Sequence, residues 1–97
     1  SNGKMMYLLT KTGKIESGAY ATRDKGGDIV VQFFELKEDA ECYNTHLDAL
    51  DQALVVTECP SEHIDKLCDI MGYAHTVIEA GQVVVPRIET LESDLGL

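Results

Sequence analysis

The sequence predicts an α+β fold, a single mixed β-sheet of four to five strands with two amphipathic helices in the order β-β-β-α-β-α-β. Two strand-like segments flank a glycine-containing loop at residues 24–28, and two segments with apolar residues at helical spacing follow. The length of 97 residues and the 44% hydrophobic content fit one compact domain. We place this domain at residues 5–87, with 1–4 expected to be an expression-tag remnant and 88–97 an acidic tail.

The strands are predicted from short apolar or β-branched runs that end at turn residues. They are expected at residues 7–10, 19–23, 29–36, 54–56 and 76–78, with a further extended segment at 82–85. The loop Asp24-Lys25-Gly26-Gly27-Asp28 supplies the glycines that a tight hairpin turn needs. Pro86 then ends the last extended segment.

The two helices are predicted from apolar residues at helical spacing. In the first, Lys37-Glu38-Asp39 places negative charge in the opening turn, where it suits the helix dipole. In the second, Ser61 or its neighbour is the expected cap after Pro60, and Gly72 is placed for a left-handed C-cap. The apolar stripes are Ala40, Tyr43, Leu47 and Leu50 in the first helix and Ile64, Leu67, Cys68 and Met71 in the second.

The third strand is apolar on both faces, since Ile29, Val31 and Phe33 alternate with Val30 and Phe34. It is therefore expected to be central in the sheet or covered on both faces. With only two helices, one covered sheet face is the simpler arrangement. The open face would carry Val30 and Phe34, which predicts a self-association surface and a possible homodimer. Alternatively, the apolar residues of the tail fold over that face.

Charge and cysteine usage restrict the class of protein. Seventeen acidic and eight basic residues give a net charge of −9, which opposes binding to nucleic acid or to an anionic membrane surface. No apolar run approaches the roughly 20 residues of a transmembrane helix, and the N-terminus lacks the pattern of a secretory signal. Three cysteines without a C-x-x-C spacing favour a reducing compartment. We expect a cytoplasmic protein.

Two Cys-x-x-x-His pairs are the candidate metal ligands, Cys42 with His46 and Cys59 with His63. Four such ligands would satisfy a tetrahedral zinc site. However, the first pair lies beside the apolar arc of its helix, where a thiol and a ring simply pack, and the second pair has no fixed geometry. We therefore predict no cofactor, and a metal- or thiol-dependent sensor stays an alternative function.

No catalytic constellation stands out, and we expect neither enzymatic activity nor a catalytic residue. Cys68 lies in the middle of an apolar stripe and is predicted to be a buried, unreactive thiol. His75 can be paired with Asp65 or Asp69 only through proximity in sequence. The loop at residues 24–28 is not followed by a helix N-terminus, so it does not read as a phosphate-binding loop.

A succession of short motifs runs through most of the chain. The motifs are Gly18-Ala19-Tyr20, Phe34-Glu35, Asp39-Ala40-Glu41-Cys42-Tyr43, Cys68 and Val85-Pro86. In this order and spacing, from Tyr7 to Pro86, the chain resembles the uncharacterised cyanobacterial and chloroplast family catalogued as domain of unknown function 3110. It departs from that family at Arg87, where a second proline is usual. The resemblance implies cyanobacteria, their phages or plastids as the source, with the plastid stroma as a second compartment, and it brings no established activity.

The sequence thus favours a small non-enzymatic intracellular binding or regulatory module that associates with itself or with a protein partner. A further hypothesis is an acidic adaptor or mimic that binds a basic partner. It predicts that acidic residues cluster on one surface. Those residues are Glu38, Glu41, Asp48, Asp51, Glu89, Glu92 and Asp94.

Overall fold

Five strands and two α-helices make up the computed structural model, which describes residues 3–52, 54–82 and 84. The strands are β1 Met5–Thr10, β2 Ala21–Arg23, β3 Ile29–Phe34, β4 Val55–Pro60 and β5 Ala74–Ile78, and the helices are α1 Lys37–Ala49 and α2 Ile64–Met71. Short 3-10 turns at Ile15–Ser17 and Ser61–His63 precede β2 and α2. The predicted α+β class and element order are confirmed.

The sheet is mixed, and β3 is its central strand. β1 pairs antiparallel with β3 and β4, β2 pairs antiparallel with β3, and β5 pairs with β3 in parallel. The hydrogen-bonded path runs β2-β3-β1-β4, with β5 attached to β3. Val30 and Val31 each pair with a residue of β2 and with a residue of β5, so β3 has a partner on each edge. This confirms the expectation from its apolar sequence.

The turn between β2 and β3 is organised by a single carboxylate. The Asp24 Oδ1 accepts hydrogen bonds from the backbone N–H groups of Gly26 and Asp28, both at 2.9 Å. The Asp24 N–H also donates to the Asp28 carbonyl, and Gly27 takes φ +85°, a value that favours glycine. The sequence therefore closes the hairpin locally, as predicted.

The two helices lie against opposite faces of the sheet, because side chains alternate across each strand. The α2-side core consists of Met6, Leu8, Ala21, Val31, Phe33, Cys59, Ile64 and Cys68. The α1-side core consists of Leu9, Tyr20, Phe34, Ala40, Tyr43, Leu47 and Ile78. Each helix contributes its apolar stripe to one core only.

The expectation of one open sheet face is wrong. The Phe34 side chain is 1% exposed, and its ring centroid lies 5.5 Å from that of Tyr43 on α1. Val30 is half-buried. Because α1 covers this face, Phe34 cannot belong to a self-association surface while the helix is in place. The alternative cover, the tail after Pro86, lies outside the described residues.

The ends of α2 differ in how well the sequence predicts them. Gly72 has φ +72° and ends the helix in the left-handed conformation, as expected. The start has no side-chain cap, since Ser61 begins the 3-10 turn and its backbone N–H donates to the Lys4 carbonyl at 2.9 Å.

The predicted extended segment at 82–85 lies partly outside the described residues, and its described members, Gln82 and Val84, are not in a strand.

A chain of hydrogen bonds joins β1 to β4 through two buried threonines. The Gly13 N–H donates to Thr10 Oγ1 at 2.9 Å, and Thr57 Oγ1 donates to the Val55 carbonyl at 3.1 Å. The two hydroxyl oxygens are 2.8 Å apart. Because the Thr57 proton is already used, the Thr10 hydroxyl donates to Thr57.

We expect the Thr57→Val substitution to lower the free energy of unfolding by about 1–3 kcal/mol, because it leaves the buried Thr10 hydroxyl without an acceptor. Urea denaturation measures the change. The double variant Thr10→Val/Thr57→Val should lose less than the sum of the single losses, since neither hydroxyl then remains unpaired. Strictly additive losses would show that the two hydroxyls are not coupled.

Glu35, just after β3, binds segments from both ends of the described chain. Its Oε2 accepts from Lys4 Nζ at 2.8 Å, and its Oε1 accepts from the Ala80 N–H at 3.0 Å. Lys4, which falls before the predicted boundary at residue 5, thus contacts the folded chain. The hydrogen bond from Lys4, followed by that from Ala80, lowers the pKa of the Glu35 carboxyl below its usual 4.5.

A lowered carboxyl pKa in the folded state stabilises the protein above the unfolded pKa, and this stability is lost as the pH falls through the folded pKa. We therefore expect Glu35→Gln to lose less thermal stability than the parent protein between about pH 6 and about pH 3. Melting temperatures across this range measure the effect. Glu41→Gln, at an exposed position on α1, is the matched control and should follow the parent profile.

Candidate functional site

One flank of α1 carries three side chains that can bind ligands. Asp39, Cys42 and His46 recur at three- and four-residue spacing, so they share one side of the helix. The buried side chains of Ala40, Tyr43 and Leu47 fix the rotation of the helix on the sheet. This flank therefore lies between the buried arc and the outer, acidic arc of α1.

The flank borders an open cavity of about 270 Å³, which we call the α1 cavity. Its lining residues are Phe34, Asp39, Cys42, His46, Ile78, Gln82 and Val84. Within the described residues, the Asp39 Oδ2 is buried without a hydrogen-bond partner, and the Gln82 side-chain oxygen accepts from the Glu79 N–H at 3.0 Å. The cavity thus has an apolar wall and, among its lining residues, an aspartate with one unpaired oxygen.

The His46 ring is held in one tautomer. Its Nδ1 lies 2.9 Å from the Cys42 carbonyl oxygen. A carbonyl oxygen only accepts hydrogen bonds, so Nδ1 carries the proton and the neutral ring keeps a free lone pair on Nε2. The contact also holds the ring against the backbone of Cys42, whose side chain carries the exposed thiol.

The three cysteines divide into one exposed and two buried thiols. Cys42 is exposed, whereas Cys59 and Cys68 are 1% and 2% exposed in the α2-side core. Burial raises the pKa of both buried thiols, and the neighbouring Cys59 adds to the rise at Cys68. The prediction that Cys68 is a core thiol is confirmed, and it extends to Cys59.

The four predicted metal ligands do not meet in one chain. Cys42 and His46 lie on α1, while Cys59 lies in the core on the opposite sheet face and His63 is exposed just before α2. Among the residues that the structure describes, no group of three or more Cys, His, Asp or Glu side chains is placed to hold a metal ion. The sheet separates the two pairs, and sequence spacing alone does not reveal which face each pair occupies.

A second concave surface, the α2 groove, has a volume of about 520 Å³. It is lined by Gly13, Lys14, Ile15, Glu16, Thr57, Glu58, Leu67, Ile70 and Met71. Ile70 is 77% exposed beside the half-buried Leu67 and Met71. The only sequence signal for this groove is an isoleucine among the polar positions of an amphipathic helix, and it does not by itself predict a groove.

Asp39 is the other residue that sequence reasoning missed as a candidate. An acidic residue in the first helical turn is already explained by the helix dipole, so its position gives no separate reason to predict a ligand. Its three-residue spacing to Cys42 was the available signal.

Two further groups have clear positions. His75 Nε2 is 3.9 Å from the Asp65 Oδ1, in a pair whose aspartate is 90% exposed, so the contact is weak. The described acids of the adaptor hypothesis, Glu38, Glu41, Asp48 and Asp51, are exposed along α1 and just after it. The tail acids of that hypothesis lie outside the described residues.

The family model described as domain of unknown function, DUF3110, matches residues 6–87. The chain belongs to the DUF3110 family. Neither the comparison with curated proteins nor that with solved structures finds a match. Within the described part of this DUF3110 domain, no helix is both long and apolar enough to cross a membrane.

Thiol labelling tests the division of the cysteines. We expect a disulfide reagent such as DTNB to react rapidly with one thiol of the folded protein, Cys42, and with all three after denaturation, because burial excludes reagent and raises the pKa of the other two. Cys42→Ser should abolish the rapid reaction. Rapid reaction of two or more thiols in the native state would contradict the burial of Cys59 and Cys68.

Proposed function

We propose that this DUF3110 domain is a non-enzymatic binding module that takes an apolar segment of a partner protein in the α2 groove. The observation that carries the proposal is the exposure of Ile70, a large apolar side chain that is 77% accessible above a groove lined by Leu67, Met71 and Ile15. Single exposed apolar residues are common on proteins. An exposed residue beside a preformed apolar groove is the arrangement typical of a binding surface.

The groove has the chemistry to hold an apolar anchor. Burying a Val, Leu, Ile, Phe or Met side chain contributes roughly 1.5–3 kcal/mol. Thr57 is one of the lining residues, and its hydroxyl is already used in the hydrogen-bond chain to Val55. An apolar ligand therefore covers this hydroxyl without breaking its hydrogen bonds.

The overall charge of the chain favours a basic partner. Glu16 and Lys14 border the groove with opposite charges, and the whole chain has a net charge of −9. Such a field speeds the approach of a cationic segment and repels an acidic one. We propose a partner segment with an apolar anchor that is flanked by Lys or Arg. Such a partner combines the binding-module hypothesis with the acidic-adaptor hypothesis.

The non-enzymatic part of the proposal rests on where perturbed titrating groups lie. Among the described residues, clear pKa shifts are found at Glu35, where hydrogen bonds from Lys4 and Ala80 lower the pKa, and at Cys59 and Cys68, where burial raises it. None of these three lines the α2 groove or the α1 cavity. Catalytic groups typically combine a perturbed pKa with a position in a cleft.

A cytoplasmic or plastid-stromal location and a cyanobacterial or plastid origin belong to the same proposal.

Peptide selection with the purified domain tests this function. Peptides that carry one apolar anchor with basic, neutral or acidic flanks are presented to the immobilised protein, and binders are mapped by NMR shift changes. We expect basic-flanked peptides to be selected and to perturb residues 13–16 and 67–71. Ile70→Lys should weaken binding by at least about tenfold, because it removes apolar contact and adds a positive charge that repels basic flanks.

Leu36→Lys is the matched control, since Leu36 is also an exposed large apolar residue but lies at the start of α1, outside the groove. This variant should bind peptides as the parent does. Selection of acidic-flanked peptides, or equal losses in both variants, would overturn the assignment of the groove.

A further inference from the structure

We propose that Cys42 and His46 form half of a zinc site and that a second copy of the chain supplies the same pair to complete a tetrahedral Cys₂His₂ centre. The inference goes beyond the α2 groove, because α1 lies against the opposite sheet face. It replaces the single-chain arrangement of four ligands, which the sheet prevents.

His46 is prepared as a metal ligand. Its Nδ1–H donates to the Cys42 carbonyl oxygen at 2.9 Å, which leaves the Nε2 lone pair free. Metal-bound histidines almost always donate their other ring N–H to a carbonyl, carboxylate or water, and this fixes the tautomer and the ring direction. Here the hydrogen bond from Nδ1 to the Cys42 carbonyl exists within the helix before any metal binds.

Cys42 supplies the thiol at the right spacing. On a helix, side chains at i and i+4 are neighbours on one side, and both Cys42 and His46 are exposed at the α1 cavity. Binding proceeds as the Cys42 S–H bond breaks, the proton passes to solvent, and a sulfur–zinc bond forms. No electron is transferred. Two thiolates then balance the charge of one Zn²⁺.

Asp39 gives a second, independent indication of a cationic ligand. The residue lines the α1 cavity on the same flank as Cys42 and His46, and its Oδ2 is buried with no hydrogen-bond partner in the part of the chain that the structure describes. A carboxylate in this setting favours positive charge nearby. It does not itself complete a three-ligand group with the pair in the described chain.

A second copy of the chain supplies the two ligands that zinc still needs. Structural zinc sites are almost always four-coordinate, whereas the exposed pair offers two ligands. A two-fold dimer brings the same pair from each subunit to one point. Each chain has a net charge of −9, and Glu38 and Glu41 are exposed on the same helix, so the copies repel each other without a cation. Zinc coordination by both pairs therefore supplies the attraction that holds the two copies together.

Native mass spectrometry of metal-free, reduced protein during titration with zinc sulfate tests the proposal. We expect a monomer without zinc and a dimer with one zinc per two chains at saturation, with release of one proton from each Cys42 thiol followed by a pH indicator in weak buffer. Cys42→Ser and His46→Gln should each abolish the zinc-bound dimer at concentrations that saturate the parent.

His63→Gln is the matched control because it removes another exposed histidine, and it should keep the zinc-bound dimer. Circular dichroism confirms that each variant is folded. A zinc-bound monomer, no zinc binding, or an equal loss in His63→Gln would overturn the proposal. Ile70→Lys should retain the zinc-bound dimer, which separates failure of this site from failure of the α2 groove.

Discussion

Burial of β3 on both faces is the constraint on which the rest of the structure depends. The strand pairs with β2 and β1 and, in parallel, with β5, while Val31 and Phe33 enter one core and Phe34 enters the other. A strand that is apolar on both sides has to be covered on both sides. Each of the two helices has one apolar stripe, so one helix goes to each face.

The division into two faces also separates the two surfaces with functional potential. The α1 side has an exposed thiol, an exposed imidazole and a buried carboxylate oxygen around one cavity, and the α2 side has an open apolar groove. Cys42 is accessible to ligands for this reason, while Cys59 and Cys68 are core residues. Identical residue types thus acquire different chemistry from their position relative to the sheet.

Sequence patterns predicted the elements better than the sites. Periodicity located both helices, the Asp24 loop predicted the hairpin turn, and Gly72 predicted the end of α2, because these features depend on nearby residues. The patterns did not assign α1 and α2 to opposite faces, and so they wrongly left Phe34 exposed. They grouped Cys42 and His46 with Cys59 and His63, although helical spacing specifies proximity only within one element.

By itself, the sequence determined the α+β class, the order of the elements, the DUF3110 resemblance and the acidic character of the surface, since composition and local periodicity carry this information. Only the tertiary structure decided which flank of each helix faces a cavity. It placed Asp39, Cys42 and His46 on the lining of one cavity, put Ile15 and Ile70 on the lining of the α2 groove, and buried two of the three thiols. The physical reason is that these relations depend on how separate elements pack against the two faces of one sheet.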